Sequence, residues 1–209
     1  LVTIEWHSPG YTPASSDFSL PEYSQRAALY SVGGIPHSQW NGVESTSGGY
    51  PDGNWGAMIN GFTTIYNNMI NADTPYEIDI NGYVEGNVTY DITVTLDMDM
   101  SNSFMKLETF VVEDKIMSYW SGASNSESGP WHNARNVARE WLNPETVTIN
   151  TAGETQTFTG SFNLNPNWNA DSIKIVSIIQ NTSTKEVFQA REININDMNP
   201  DIDEDGVLN

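Results

Sequence analysis

The spacing of apolar residues changes once along the chain, close to Pro75. From Trp55 to Ala72 apolar side chains recur at intervals of three and four residues, which predicts an amphipathic helix. After Pro75 apolar and polar residues alternate, which is the period of a β-strand with one buried face. The sequence therefore predicts a helix-containing first part and a β-rich second part.

Alternating segments fill most of the second part of the chain. They are Tyr76–Ile80, Val88–Leu96, Met105–Val112, Thr146–Ile149, Gln156–Leu164, Ile173–Gln180 and Glu186–Ile195. Short strands separated by turn residues are typical of an immunoglobulin-like β-sandwich. Ile173–Gln180 is apolar on most of both faces, which favours a central strand. Trp131–Leu142 fits a short helix or an irregular strand.

The first part of the chain predicts a strand, a loop, a helix and a second strand. Leu1–His7 alternates from its first residue, and a helix opens at Pro21, where proline suits the first turn. Gly33 is expected to end this helix. Ile35–Asn41 is expected to be the second strand.

Proline is unusual at the start of a buried strand, because it cannot donate to a sheet ladder. The order strand, loop, helix, Gly33-Gly34-Ile35-Pro36 and strand resembles the second half of a thioredoxin fold, in which such a proline is cis. That resemblance implies a cis Ile35–Pro36 bond. It also implies a turn of Ile35, Pro36 and His37 whose backbone edge is open to an extended ligand.

These patterns predict an α+β protein with three parts. Residues 1–74 are expected to form a partial thioredoxin-like α/β layer, and residues 75–197 an antiparallel immunoglobulin-like β-sandwich. Residues 198–209 are expected to be an acidic tail.

Charge and composition then narrow the function classes. The chain of 209 residues has 27 Asp and Glu against 8 Lys and Arg, a formal net charge of −19. Such a chain repels phosphate backbones, so nucleic acid is not an expected partner. It contains no cysteine, and no apolar run is long enough to span a bilayer. Abundant Asn, Ser, Thr and Gly with little Lys are typical of exported β-rich proteins.

Residues 167–190 (NWNADSIKIVSIIQNTSTKEVFQA) and 131–139 (WHNARNVAR) carry a family resemblance. They resemble the C-terminal half of the Omp-twenty-eight-related family, and the resemblance extends over about residues 1–196. It implies an exported surface protein of a Gram-negative bacterium, with a thioredoxin-like half followed by an immunoglobulin-like sandwich. Some members carry Cys-x-x-Cys on the helix before the strand that here begins at Leu1.

The acidic tail contains a calcium-loop pattern. Asp201, Asp203, Asp205 and Asn209 fit the first, third, fifth and ninth positions of an oxygen-rich calcium loop, and Gly206 in the sixth position permits its sharp turn. The pattern resembles the start of a dockerin or thrombospondin type 3 repeat. The position that usually supplies a last carboxylate lies beyond Asn209, and the strand pattern at the other end starts at Leu1 itself. Both ends of the chain are therefore interpreted as cut. A solvated acidic linker is the alternative.

The remaining chemistry-bearing residues give weaker signals. His7 and His37 could lie on neighbouring strands and form a metal site with Glu5 or Asp17, although scattered histidines are more often ordinary polar residues. Arg135 and Arg139 are expected to pair with acidic groups. No serine-hydrolase elbow, phosphate loop or dinucleotide fingerprint is present.

Two functions follow from these features. The first is a non-catalytic, cell-surface or secreted protein that binds a protein or glycan ligand or has a structural role. The second is an exported thiol–disulfide oxidoreductase whose Cys-x-x-Cys lies upstream of Leu1. The absence of any thiol in these residues favours the first.

Overall fold

A computed structural model describes residues 1–10, 18–49, 54–119 and 131–198. The helices are α1 (Tyr23–Leu29) and α2 (Trp55–Met69), with short 3₁₀ turns at Ala170–Ser172 and Ile195–Asp197. The strands are β1 (His37–Trp40), β2 (Glu44–Ser47), β3 (Tyr76–Glu85), β4 (Asn87–Leu96), β5 (Met105–Glu113), β6 (Ile116–Tyr119), β7 (Trp131–Ala134), β8 (Val137–Trp141), β9 (Glu145–Thr146), β10 (Thr155–Asn163), β11 (Ile173–Asn181) and β12 (Val187–Asn194). The α+β class with antiparallel sheets is confirmed.

Two larger antiparallel sheets and the two-stranded sheet of β6 and β7 form the β-rich second part. One has three strands in the order β10-β4-β3, and the other contains β12-β11-β5-β8, with β9 also paired to β5. Side chains from both sheets meet in one buried cluster that includes Ile92, Leu107 and Ile175. Burying each such side chain contributes about 1.5–3 kcal/mol, so this shared layer holds the two sheets together.

Strand β11 is central, as its sequence predicts. It pairs with β12 on one side and β5 on the other. Ile175 and Ile179 face the cluster between the sheets, whereas Val176 and Ile178 belong to a second cluster on the outer face. Both faces of β11 are therefore covered, which explains a strand that is apolar almost throughout.

Residues 1–7 correct one expectation. They form no continuous strand beside β1. Only Glu5 bridges, in parallel, to Val137 of β8. The alternating side chains of Val2, Ile4 and Trp6 nevertheless pack against the outer face of the five-stranded sheet. The alternation in residues 1–7 correctly predicts one buried face. It does not identify the part of the protein against which that face packs.

The remaining local expectations are met to differing degrees. Helix α2 is present, and the Ile35–Pro36 peptide bond is cis, as predicted. Helix α1 ends at Leu29, before the glycine expected to stop it.

The segment Trp131–Leu142, for which the sequence allows a short helix or an irregular strand, forms β7 and β8. Neither helix in the described parts of the chain is long and apolar enough to cross a bilayer.

The turn between β1 and β2 lies directly on the turn between β11 and β12. Gly42 has a φ of +76°, and a Cβ at this position would overlap the Lys185 carbonyl. The Val187 amide also donates to the Asn41 carbonyl at 2.9 Å. Any side chain larger than hydrogen at position 42 would force the two turns apart.

Helix α1 is attached to the sandwich through a buried arginine. Arg26 is the buried residue of this helix, and its guanidinium lies 3.1 Å from Glu108 and 3.4 Å from the Gln180 side-chain oxygen. It also donates to the Tyr30 hydroxyl at 3.0 Å and lies over the rings of Phe110 and Tyr30. Burial raises the pKa of Glu108, and the neighbouring Arg26 charge opposes that rise.

Replacing Arg26 by alanine should lower the free energy of unfolding by about 3–5 kcal/mol, because Glu108 is left as an unpaired buried charge. The double change Arg26→Ala with Glu108→Gln should recover part of that loss, since no charge is then left unpaired. Urea unfolding of the single and double variants measures both. A double variant as unstable as Arg26→Ala would show that the loss comes from packing rather than from the unpaired carboxylate.

Candidate functional site

The candidate site lies where residues 1–7 meet the edge of the sandwich. The Glu5 amide donates to the Asn136 carbonyl at 2.9 Å, and the Ala138 amide donates to the Glu5 carbonyl at 2.9 Å. These two bonds flank the bridge between Glu5 and Val137. They fix the backbone of Glu5, and therefore the direction in which its side chain leaves the chain.

Strand β7 brings a histidine to the same place. β6 and β7 form a two-stranded hairpin in which His132 lies opposite Ser118. The His7 Nε2 donates to Glu5 Oε1 at 2.9 Å, and the His132 Nε2 lies 3.6 Å from the same oxygen. One ligand atom from each of Glu5, His7 and His132 lies within 4.8 Å of the others.

The cluster is partly shielded from solvent. The His7 side chain is 9% exposed, whereas those of Glu5 and His132 are 37% and 32% exposed. The His7 ring packs edge-on against Phe18 and is nearly parallel to the His132 ring, 6.4 Å away. One side of the cluster is therefore covered by protein and the other is open.

The environment of Glu5 favours its ionised form. Burial alone would raise the pKa of Glu5. The hydrogen bond from His7, the Arg135 amide that donates to Glu5 Oε2 at 3.2 Å, and the charges of His7 and His132 together hold that pKa below its ordinary value. The group is therefore a carboxylate between two imidazoles, an arrangement that can hold a proton or a metal ion.

A neighbouring ion-pair group holds the turn between β7 and β8 in place. Arg135 contacts Asp114 through two nitrogens at 2.5 and 3.1 Å, and the Asn136 amide donates to Asp114 at 3.3 Å. Lys174 lies 3.7 Å from the same carboxylate. Arg139 lies 3.4 Å from Glu113, so the expected pairing of both arginines with acidic groups is confirmed.

The structure does not support the metal site considered for His7 and His37, and the favoured interpretation of ordinary polar residues stands for His37. β1 pairs with β2 rather than with residues 1–7. His37 Nδ1 bonds Ser47 at 2.8 Å and its Nε2 bonds Gln39 at 3.2 Å, both within its own hairpin. Asp17, the other expected ligand, lies outside the described residues.

The other predicted site residues are placed only in part. Ile35 and Pro36 are exposed at the cis turn, but the Pro36 carbonyl already accepts the Gly48 amide at 2.9 Å. A binding role for Ile35, Pro36 and His37 stays a prediction. The calcium-loop residues Asp201, Asp203, Asp205 and Asn209 lie outside the described part of the chain.

Sequence reasoning missed His132 as a partner of His7. Neither the spacing nor the surroundings of the two residues indicate contact, because His7 and His132 are 125 positions apart and no motif links them. Recognition of the β6–β7 pair in the sequence would have indicated the cluster. The sequence pattern did not identify these two strands. Only that pairing, together with the Glu5 bridge to β8, brings the three groups together.

Comparisons with known proteins show the fold. No family model and no curated protein matches the chain. Among solved structures, HBP35 of Porphyromonas gingivalis superimposes with a TM-score of 0.63 at 16% identity, over 90% of this chain and 62% of that one. A domain of the outer membrane lipoprotein Omp28 from the same organism matches with a TM-score of 0.38 at 14% identity, over 59% of this chain and 90% of that one. The chain thus spans 62% of the length of HBP35, and that likeness shows a shared fold.

The Asp114 carboxylate should make stability depend on pH. The hydrogen bonds from Arg135 lower the pKa of Asp114 from 3.8 to about 2, against the opposing effect of burial. Its contribution is therefore present above about pH 4 and is lost as the pH falls towards about 2. Asp114→Asn should lower the free energy of unfolding near neutral pH by about 1–2 kcal/mol. This range allows for screening by solvent, because the Arg135 side chain is 61% exposed.

The control for this change is Glu85→Gln at the exposed end of β3. Chemical unfolding of both variants across the acid range gives the comparison. A deficit of Asp114→Asn that is as large at about pH 2 as at neutral pH would show that the charge of Asp114 is not its cause.

Proposed function

We propose that this chain is part of an exported, non-catalytic protein at the cell surface of a Gram-negative bacterium or secreted from it. Its role is to bind a protein or glycan ligand or to support a surface structure. The proposal rests on the resemblance of residues 131–139 and 167–190 to the Omp-twenty-eight-related family. It is supported by a fold shared with HBP35 of Porphyromonas gingivalis.

The observation that favours binding over catalysis is the way the first part of the chain is fixed to the sandwich. The hydrogen bond from Arg26 to Gln180 attaches α1 to the sheet. Gly42 allows the β1–β2 turn to pack directly on the turn that contains Lys185. This attachment presents an exposed turn on a rigid support, which is the usual arrangement of a recognition loop. The oxidoreductase alternative requires a dithiol that these residues do not contain.

The surface to which we assign the ligand is the cis turn of Ile35, Pro36 and His37. Ile35 is 41% exposed, although it is a large apolar side chain. The two-stranded sheet of β1 and β2 pairs with no other strand among the described residues. An extended segment could add to such an edge through its backbone, with Ile35 as an apolar contact.

Cells that produce the full-length protein provide the first test of this function. We expect protease added outside intact cells to digest the protein, or the protein to be recovered from the medium, because export is the basis of the proposal. The purified full-length protein should also fail to reduce disulfide substrates. Retention in the cytoplasm would contradict export, and turnover of a disulfide would support the oxidoreductase instead.

Peptide and glycan panels test the binding surface. Ile35→Asp should abolish binding of any ligand found for the parent protein, because it places a charge in the proposed apolar contact. Val43→Asp is the matched control, since Val43 is exposed in the adjacent turn. Equal loss in both variants, or in neither, would remove the cis turn as the binding surface.

The acidic tail adds a second proposal, a calcium loop formed by Asp201, Asp203, Asp205 and Asn209. Carboxylate oxygens at alternate positions are the ligands that calcium prefers, and its binding can order an acidic segment. In the protein extended beyond Asn209, calcium should raise the Tm, and Asp203→Asn should reduce that rise. An unchanged Tm after addition of a chelator would remove the calcium loop.

A further inference from the structure

Three groups of different origin converge at the edge of the sandwich. Glu5 and His7 come from the first residues of the chain, and His132 comes from β7. We propose that Glu5, His7 and His132 form a binding site for a divalent transition-metal ion of the zinc type. The site would join residues 1–7 to the β6–β7 hairpin. This inference is independent of the ligand and the location proposed above.

The donor set determines the kind of metal. Imidazole nitrogens bind zinc, copper and nickel well, whereas calcium and magnesium take oxygen ligands. Two histidines with one glutamate are a known protein ligand set for zinc, in which a fourth position is left to water or to an external ligand. The cluster is therefore different in kind from the oxygen-rich loop in the acidic tail.

The distances leave room for one ion between the groups. Neighbouring ligand atoms lie about 3.4 Å apart around a tetrahedral ion whose bonds are about 2.1 Å long. In the cluster, Glu5 Oε1 lies 2.9 Å from His7 Nε2 and 3.6 Å from His132 Nε2, values on either side of that spacing. Small side-chain movements would bring both histidines and the carboxylate to bonding distance.

Both histidines approach the same carboxylate oxygen. The His7 contact to Glu5 Oε1 is an ordinary hydrogen bond, and His132 Nε2 lies 3.6 Å from that oxygen, within ion-pair range. A single ion between the three groups would contact both rings and the carboxylate, and the proton between His7 and Glu5 would leave to solvent when the ion binds.

The surroundings hold the ligands in position before any ion binds. The Arg135 amide occupies Glu5 Oε2, which leaves Oε1 directed at the histidines. Phe18 packs against His7, and the backbone of Glu5 is fixed on both sides by β8 and its preceding turn. Supporting contacts of this kind orient ligands and raise metal affinity. The net charge of −19 also raises the local concentration of divalent cations.

Histidine NMR tests the site in the unaltered protein, because the chain contains only three histidines. On titration with zinc in excess calcium, which occupies oxygen-ligand sites, the imidazole signals of His7 and His132 should change and those of His37 should not. One equivalent of zinc should complete the change. Cobalt in place of zinc should give the visible absorption of a four-coordinate ion. No change in His7 and His132, or an equal change in all three histidines, would overturn the proposal.

Variants provide a second, independent measurement. His7→Gln keeps a side-chain donor for Glu5 but removes the imidazole, so zinc affinity measured by calorimetry should fall at least about tenfold. Glu5→Gln and His132→Gln should have the same effect, and His37→Gln is the matched control. Thermal unfolding without metal establishes that each variant is folded. Unchanged zinc affinity in folded His7→Gln or His132→Gln would show that the metal binds elsewhere.

Discussion

The ion pair between Arg26 and Glu108 is the constraint on which the arrangement of this protein depends. A buried guanidinium needs a charge partner and further acceptors, and Glu108 and Gln180 supply them on the outer face of the five-stranded sheet. Because Arg26 is the buried residue of α1, this contact fixes the helix at that place on the sheet. The pair therefore specifies where the first part of the chain lies, even where its net contribution to stability is modest.

The aromatic rings around Arg26 connect helix α1 to residues 1–7. Trp141 stacks on Phe110, and Trp6 meets both rings edge-on at 6.0 Å. Arg26 lies over the Phe110 and Trp141 rings. Helix α1, strand β8 and residues 1–7 thus share one cluster, so the position of Glu5 and His7 is linked to the position of the arginine.

Much of the fold could be predicted from local sequence. Alternation predicts that Val88, Ile92 and Leu96 share a buried face, and all three are buried. The apolar residues on both faces of β11 predict a central strand, and β11 is central. The cis bond before Pro36 was also predicted, because the order of surrounding elements resembles a known fold. These features depend on near neighbours in sequence, where period and turn chemistry carry the information.

The candidate metal site could not be predicted in the same way. Its formation requires Glu5 to bridge to Val137 and the β6–β7 hairpin to place His132 beside it. Both pairings join distant parts of the chain, and a strand's period does not name its partner. From the sequence, His37 is the histidine that could join His7 in a metal site. In the structure β1 pairs with β2 instead of with residues 1–7.

The packing of Val2, Ile4 and Trp6 has a consequence for the integrity of the molecule. These side chains cover an outer surface that includes Phe110, Val112, Val176 and Ile178. Displacement of residues 1–7 from this surface would uncover a contiguous apolar strip on a highly charged chain, and such strips promote self-association. Residues 1–7 thus keep this apolar surface from contact with other molecules.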